Sequence, residues 1–167
     1  MQGAPPQGHL VGGGVTRPPS EPDGEGLLTA AIPRNHLPAL TLENTFFWRS
    51  GASGTLRFMR CTACGHYVHP PLPICPLCKC REVRDEAVSG KGSVLSYTIN
   101  RQAWEKGLEA PYVIAIVEMD EQRGLRLTSN IVNCALDDVV IGLRVRVLFQ
   151  NCEDVWLPLF EPDFTPP

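Results

Sequence analysis

The chain has 167 residues, a net charge of −3 and a pI near 5.8, with 43% hydrophobic and 20% charged residues: a globular composition, enough for one ordinary domain or two small ones. The acidic balance speaks against a protein that lives on phosphate backbones, and without 18 consecutive apolar residues no membrane span is predicted. The first residues lack both a basic and an apolar signal region, and a reducing, cytoplasmic setting is therefore expected.

Residues 1–40 hold seven Gly and seven Pro, with Gly12-Gly13-Gly14 and Pro18-Pro19 among Ser, Glu and Asp. Such a composition buries too little apolar surface to offset the entropy of ordering, so a flexible tail is expected. Leu27 to Pro33 is its more apolar stretch, a candidate for docking. An aromatic helix is predicted over 41–54. Thr41 is its expected N-cap, Glu43 and Asn44 fill the first turn, and Gly51 is the expected C-cap residue. Phe46, Phe47 and Trp48 give more apolar area than one face of a short helix needs, which makes them the candidate partner interface.

A zinc ribbon is predicted over 55–88. Thr55 to Arg60 alternates like a strand and leads into Cys61-Thr62-Ala63-Cys64-Gly65. A ten-residue spacer follows, then Cys75-Pro76-Leu77-Cys78, and Val83 to Val88 leads out. Each C-x2-C pair sets two thiolates at the rim of one tight turn, and two such turns supply four soft ligands in a tetrahedron. Cys61, Cys64, Cys75 and Cys78 are thus the candidate metal ligands. Zinc suits them, and rubredoxin-type iron is the alternative. With four protein ligands no position is open to substrate, so the metal is read as structural. Gly65 supplies the positive φ of the knuckle, and Pro70-Pro71-Leu72-Pro73 reverses the chain. A ribbon of this size has too little core to fold alone, and structural zinc contributes on the order of 10 kcal/mol. Cys80 is read as a spare thiol, His66 and His69 as surface residues.

From residue 89 to 162 the pattern is all β. Strands are expected at Gly90 to Thr98, Tyr112 to Met119, Leu125 to Val132, Leu143 to Phe149 and Val155 to Phe160. In the fourth, Leu143, Val145, Val147 and Phe149 should face in, Arg144 and Arg146 out. Five strands with a short connector between the third and fourth fit an OB-type Greek-key barrel; an SH3-like barrel is the competing architecture. The loop Asn100 to Pro111 carries Arg101, Trp104 and Lys106, with Tyr112 at its exit. Two cations and aromatic rings there are candidates for gripping a phosphate and a planar base. Cys134 and Cys152 have no activating base nearby and are read as packing residues. No catalytic constellation stands out. Residues 163–167 are a short tail.

The whole order resembles the zinc-ribbon/OB-fold family known as domain of unknown function 35. The likeness covers about 41–162 and rests on Phe47-Trp48, Arg60-Cys61, Cys64-Gly65, Pro70-Pro71, Cys75-Pro76, Cys78, Ser89-Gly90-Lys91-Gly92, Tyr97-Thr98, Pro111-Tyr112, Ile141-Gly142 and Leu157-Pro158. This chain departs from the family in carrying Leu72 where an arginine commonly follows the Pro-Pro pair. The resemblance implies a mainly β protein with an N-terminal helix, a rubredoxin-like zinc ribbon and an OB barrel. It implies a non-catalytic accessory subunit of thiolase-superfamily enzymes in acyl-CoA metabolism, including aldolases of steroid side-chain CoA esters. A MaoC-like hydratase is a further implied partner, and Arg101, Trp104, Lys106 and Tyr112 become candidates for contact with a CoA thioester. The competing reading is a module for single-stranded nucleic acid. Between Gly90 and Phe160 it meets seven Lys/Arg against nine Asp/Glu, a poor electrostatic groove.

Overall fold

The computed structural model describes residues 37–104 and 109–164. The Leu27 to Pro33 stretch, most of the expected N-terminal tail, the last three residues and Lys106 lie outside the described residues. The architecture is mostly β: a short helix, a three-stranded sheet and a closed five-stranded barrel.

The three-stranded sheet has the order β2-β1-β3, with β1 at Arg57–Cys61, β2 at Tyr67–Val68 and β3 at Val83–Ala87. All pairs are antiparallel; β1 meets β3 from Arg57↔Ala87 to Cys61↔Val83, and β2 through Met59↔Val68 and Arg60↔Tyr67. The two residues of β2 show no periodicity in the sequence, and that strand was not anticipated. Opposite charges sit across the β1–β3 ladder: Arg57 Nε donates to Asp85 Oδ2 at 2.6 Å, and Arg60 Nη1 donates to Glu86.

The barrel comprises β4 (Lys91–Asn100), β5 (Tyr112–Met119), β6 (Arg126–Ile131), β7 (Arg144–Cys152) and β8 (Val155–Pro162), closed in the order β4-β5-β6-β8-β7. A 3-10 turn at Leu136–Asp138 lies between β6 and β7, the connector that favoured an OB barrel over an SH3-like one. Closure rests on β4–β7 pairing from Lys91↔Arg146 to Ser93↔Arg144, and on the parallel contact Ile131↔Phe160 between β6 and β8. Strand β4 has to bend sharply. It carries a bulge between Val94 and Ser96, and a Cβ at Gly92 would stand 2.5 Å from the Glu118 carbonyl oxygen.

The helix is shorter than the sequence suggests. α1 spans Thr45–Arg49, and a 3-10 turn at Ser50–Ser53 continues it. Before it, the Asn44 side chain accepts from Thr41 N (2.8 Å) and donates to Ala39 O (3.1 Å), so it organises a turn where the helix was expected to begin. The left-handed terminal position expected of Gly51 belongs to Gly54, with φ of 68°. Gly51 is buried, and a Cβ there would lie 2.5 Å from both Phe149 Cδ1 and Trp156 Cβ, so only glycine lets the turn seat on the β7–β8 hairpin.

Helix, ribbon and barrel share one core. Phe47 of α1 and Phe58 of β1 belong to the same buried cluster as Val94, Val113, Val117, Val145 and Phe160 of the barrel. Each such side chain contributes about 2 kcal/mol of apolar burial, which explains why a small ribbon can stay docked. The Gln122 side chain adds a polar tie: it accepts from Tyr67 N at 2.8 Å and donates to Tyr67 O at 3.2 Å, as a neighbouring strand would. In β7, Val145 is buried and Val147 and Phe149 pack against the core, whereas Arg144 and Arg146 face out, as their alternation predicts.

Candidate metal centre and accessory surfaces

The two knuckles face one another. Cys61 Sγ lies 3.6 Å from Cys78 Sγ, and Cys64 Sγ lies 3.6 Å from Cys75 Sγ; all four sulfurs fall within 4.8 Å of each other. A tetrahedron with Zn–S bonds near 2.3 Å has S···S edges of about 3.8 Å, close to the two 3.6 Å separations, so the chemistry and spacing of the donor set suit zinc. Cys61 and Cys75 are buried while Cys64 and Cys78 are exposed, which places the centre at the rim of the ribbon.

Local backbone builds each knuckle. Gly65 takes φ of 74° and its N–H donates to Cys61 O at 2.9 Å; Lys79, at φ of 63°, donates likewise to Cys75 O at 3.0 Å. The expected need for Gly65 is met, and Lys79 occupies the equivalent position in the second knuckle without being glycine. Arg60 braces the first knuckle: Nε donates to Gly65 O at 2.9 Å, the guanidinium sits 4.9 Å from the Tyr67 ring centroid, and Nη1 reaches Glu86.

The electrostatics of the four thiols call for a cation. The Cys64 N–H, turned toward the Cys61 sulfur, holds that thiol down at about 6, and the Cys78 N–H lowers Cys75 in the same way. The Cys80 N–H also favours the Cys78 thiolate, but the sulfurs of Cys64, Cys61 and Cys75, together with burial, push Cys78 up to about 12. Four thiolates this close repel one another unless a metal ion supplies the positive charge. Cys80 stands outside the cluster: its Sγ accepts from Glu82 N at 3.3 Å and its carbonyl accepts from Cys75 N at 2.9 Å.

His69 departs from the expected surface position. The half-buried ring lies 5.1 Å from Phe47 and 5.0 Å from Phe58, centroid to centroid, packed against the shared core. Burial lowers its pKa to about 4, and Nδ1 is buried without a hydrogen-bond partner. Periodicity could not reveal this, because the neighbours come from α1 and β1.

The aromatic triplet divides. Phe47 is 3% exposed and is therefore removed from the candidate interface; its ring meets Trp48 edge-on at 4.8 Å and lies 5.8 Å from Phe58. Phe46 and Trp48 pack partly against the core and keep some exposure. In the loop after β4, Arg101 is exposed and Trp104 is 69% exposed, its Nε1 donating to Asn100 Oδ1 at 2.9 Å. Tyr112 begins β5 and is half-buried. The Trp104 indole is thus displayed to solvent at the surface of that loop. Cys134 and Cys152 are partly buried, and burial raises both thiols, which keeps them protonated and weakly nucleophilic.

A tetrathiolate centre in a three-stranded ribbon, fused through a common core to a five-stranded closed barrel, defines a zinc-ribbon protein of the OB-fold class. Two family models match in tandem: ChsH2, rubredoxin-like zinc ribbon domain, at residues 48–84, and ChsH2, C-terminal OB-fold domain, at 85–150. A DUF35 domain-containing scaffold protein of Methanocaldococcus jannaschii is 40% identical over 100 residues, 58% of this chain and 68% of the relative. A chain in the solved structure of the Ltp2-ChsH2(DUF35) aldolase is 34% identical, with a TM-score of 0.68 and coverage of 75% of this chain and 98% of that one. This chain belongs to the ChsH2/DUF35 family of zinc-ribbon and OB-fold proteins. A probable enoyl-CoA hydratase alpha subunit of Thermomonospora curvata is 34% identical over 126 residues, 75% of this chain, and the chain spans 39% of that relative's length. Among the described residues no helix is long and apolar enough to cross a membrane.

Proposed function

We propose that the protein is a non-catalytic accessory subunit that docks on a thiolase-superfamily enzyme, a thiolase or aldolase, acting on acyl-CoA esters, with steroid side-chain esters among the candidate substrates. The observation that carries this reading is the likeness to the Ltp2-ChsH2(DUF35) aldolase, which extends over 98% of the relative's chain. The scaffold name of the archaeal relative supports a supporting role, and the hydratase alpha-subunit name of the T. curvata relative supports a MaoC-like hydratase as a further partner. In this reading Cys61, Cys64, Cys75 and Cys78 hold a structural zinc ion. That ion keeps the ribbon rigid and takes no part in bond making. Phe46 and Trp48 contribute to the enzyme-facing surface, while Arg101, Trp104 and Tyr112 contact the CoA thioester, with Lys106 of the same loop a further candidate from the sequence.

The nucleic-acid reading is less well supported by the barrel's charges. Arg144 pairs with Asp120 (Nη1–Oδ1 2.8 Å), Arg146 with Glu161 (Nε–Oε1 2.9 Å) and Lys91 with Asp163 (3.0 Å), so these cations are already matched by carboxylates.

Co-expression with a thiolase-like aldolase subunit tests the proposal. The pair is expected to co-elute on gel filtration and to cleave a β-hydroxyacyl-CoA ester that neither chain cleaves alone. Trp104→Ala is expected to leave the complex intact and raise its KM for the CoA ester several-fold. Failure of the pair both to associate and to gain activity would defeat the reading.

A further inference from the structure

Ribbon and barrel meet along a seam that is not closed over its whole length. Beside the Gln122–Tyr67 hydrogen bonds lies a cleft of about 240 Å³. Buried Val68 and Leu125 belong to its lining, and on the ribbon side it ends in Leu72, 43% exposed, and in exposed Pro76. On the barrel side it ends in Arg123, exposed in the turn between β5 and β6. One lip is therefore apolar and the other cationic. Among the described residues no Asp or Glu lines the cleft. Arg123 has no carboxylate partner there, whereas Lys91, Arg126, Arg144 and Arg146 of the barrel are all paired. The cleft is smaller than the roughly 300–1,000 Å³ of pockets that bury small ligands, and it opens to solvent between its lips, which suits an extended chain.

The sequence holds a stretch of matching pattern. From residue 21 to 32 the odd positions begin Glu21, Asp23, Glu25, while the even ones are Pro22, Gly24, Gly26, Leu28, Ala30 and Ile32. Successive side chains of an extended chain point to opposite sides, so this stretch has an acidic edge and an uncharged edge that ends in Leu28 and Ile32. No Lys or Arg interrupts it. The cleft is within its reach. Nine residues separate Leu28 from Leu37, where the described chain starts, a span of up to about 30 Å. The Asn44 side chain donates to Ala39 O at 3.1 Å, and Asn44 O accepts from Phe47 N at 3.0 Å, which folds the start of the described chain back toward Phe47. The Phe47 ring in turn lies 5.1 Å from His69, which lines the cleft.

We propose that residues 21–32 lie extended in this cleft, with Glu21, Asp23 and Glu25 toward Arg123 and with Leu28 and Ile32 against Leu72 and Pro76. Tethering selects this occupant over a free peptide or a second copy, because a short linker holds the segment at an effective concentration in the millimolar range. Since one lip belongs to the ribbon and the other to the barrel, the segment ties the two together, alongside the shared core and the Gln122 side chain. The contact is made by the isolated protein and does not depend on the enzyme partner.

Nuclear magnetic resonance of the zinc-loaded, isotope-labelled full chain under reducing conditions is the test. Nuclear Overhauser contacts are expected from the Leu28 and Ile32 methyl groups to Leu72. Backbone order parameters over residues 25–32 should exceed about 0.7, against less than about 0.6 for a free chain. Arg123 is exposed, so Arg123→Glu leaves the barrel intact; it should erase the contacts and drop the order parameters to the free-chain range. Leu28→Asp should do the same. Glu21→Lys, Asp23→Lys and Glu25→Lys, combined with Arg123→Glu, should restore both signals. Order parameters below about 0.6 in the wild type overturn the proposal. So does order that Arg123→Glu and Leu28→Asp leave unchanged, and so do contacts that fade on tenfold dilution, which would place a second copy in the cleft.

Discussion

Replacing His69 by phenylalanine should remove most of the acid sensitivity that this protein owes to its ionisable core. The His69 ring packs against both Phe47 and Phe58, and burial holds its pKa at about 4 against an ordinary 6.5. The folded-state pKa is the lower one, so the unfolded chain binds the proton more readily between these values. The stability tied to the neutral ring is fully present above pH 6.5 and is lost as pH falls through the window toward 4. A gap from 6.5 to about 4 corresponds to at most about 3 kcal/mol, of which about 2 kcal/mol has gone by pH 5. His69→Phe keeps a ring of similar shape and removes the titrating group, along with the unpartnered Nδ1. Urea unfolding of zinc-loaded wild type and variant at pH 8 and pH 5 reads the difference directly. Thiolate protonation acts on both proteins alike and cancels in the comparison. The wild type should lose about 2 kcal/mol more than the variant on acidification. Equal losses in the two proteins would refute the reasoning, because His69 would then be solvated when folded.

Three further outcomes are expected. Cys75→Ser should abolish stoichiometric zinc, measured by plasma emission spectrometry, and should unfold the ribbon, since the buried sulfur of Cys75 belongs to the tetrathiolate cluster; full retention of zinc would count against the centre. Arg60→Lys cannot brace the Gly65 carbonyl and Glu86 at once, and chelator competition should show zinc held about tenfold more weakly, with the circular dichroism spectrum unchanged. Gly51→Ala forces a methyl group to within 2.5 Å of Phe149 and Trp156, and thermal unfolding should register a loss of about 1–3 kcal/mol.

Much of the chain could be read without coordinates because the relevant signals are local. A C-x2-C pair carries its own turn, and Gly65 directly after it meets a steric demand made within five residues. Tyr112–Met119 is bounded as its β-branched run suggested, and the alternation of Val145 with Arg144 and Arg146 is a period that the barrel then obeys. What could not be read depends on neighbours distant in sequence. Strand β2 exists because Tyr67 and Val68 meet β1, and because the Gln122 side chain, 55 residues on, completes the hydrogen bonds of Tyr67. Gly51 looks like a helix terminator until Phe149 and Trp156 are seen against it.

The sequence alone determined the ligand set, the family and the succession of strands, since spacing and period act through adjacent residues whose geometry the backbone dictates. Only the tertiary structure decided which of three neighbouring aromatics enters the core, and that His69 packs against two of its rings. Those outcomes depend on which surfaces compete for burial once helix, ribbon and barrel close on one another, and no short window of residues contains that competition.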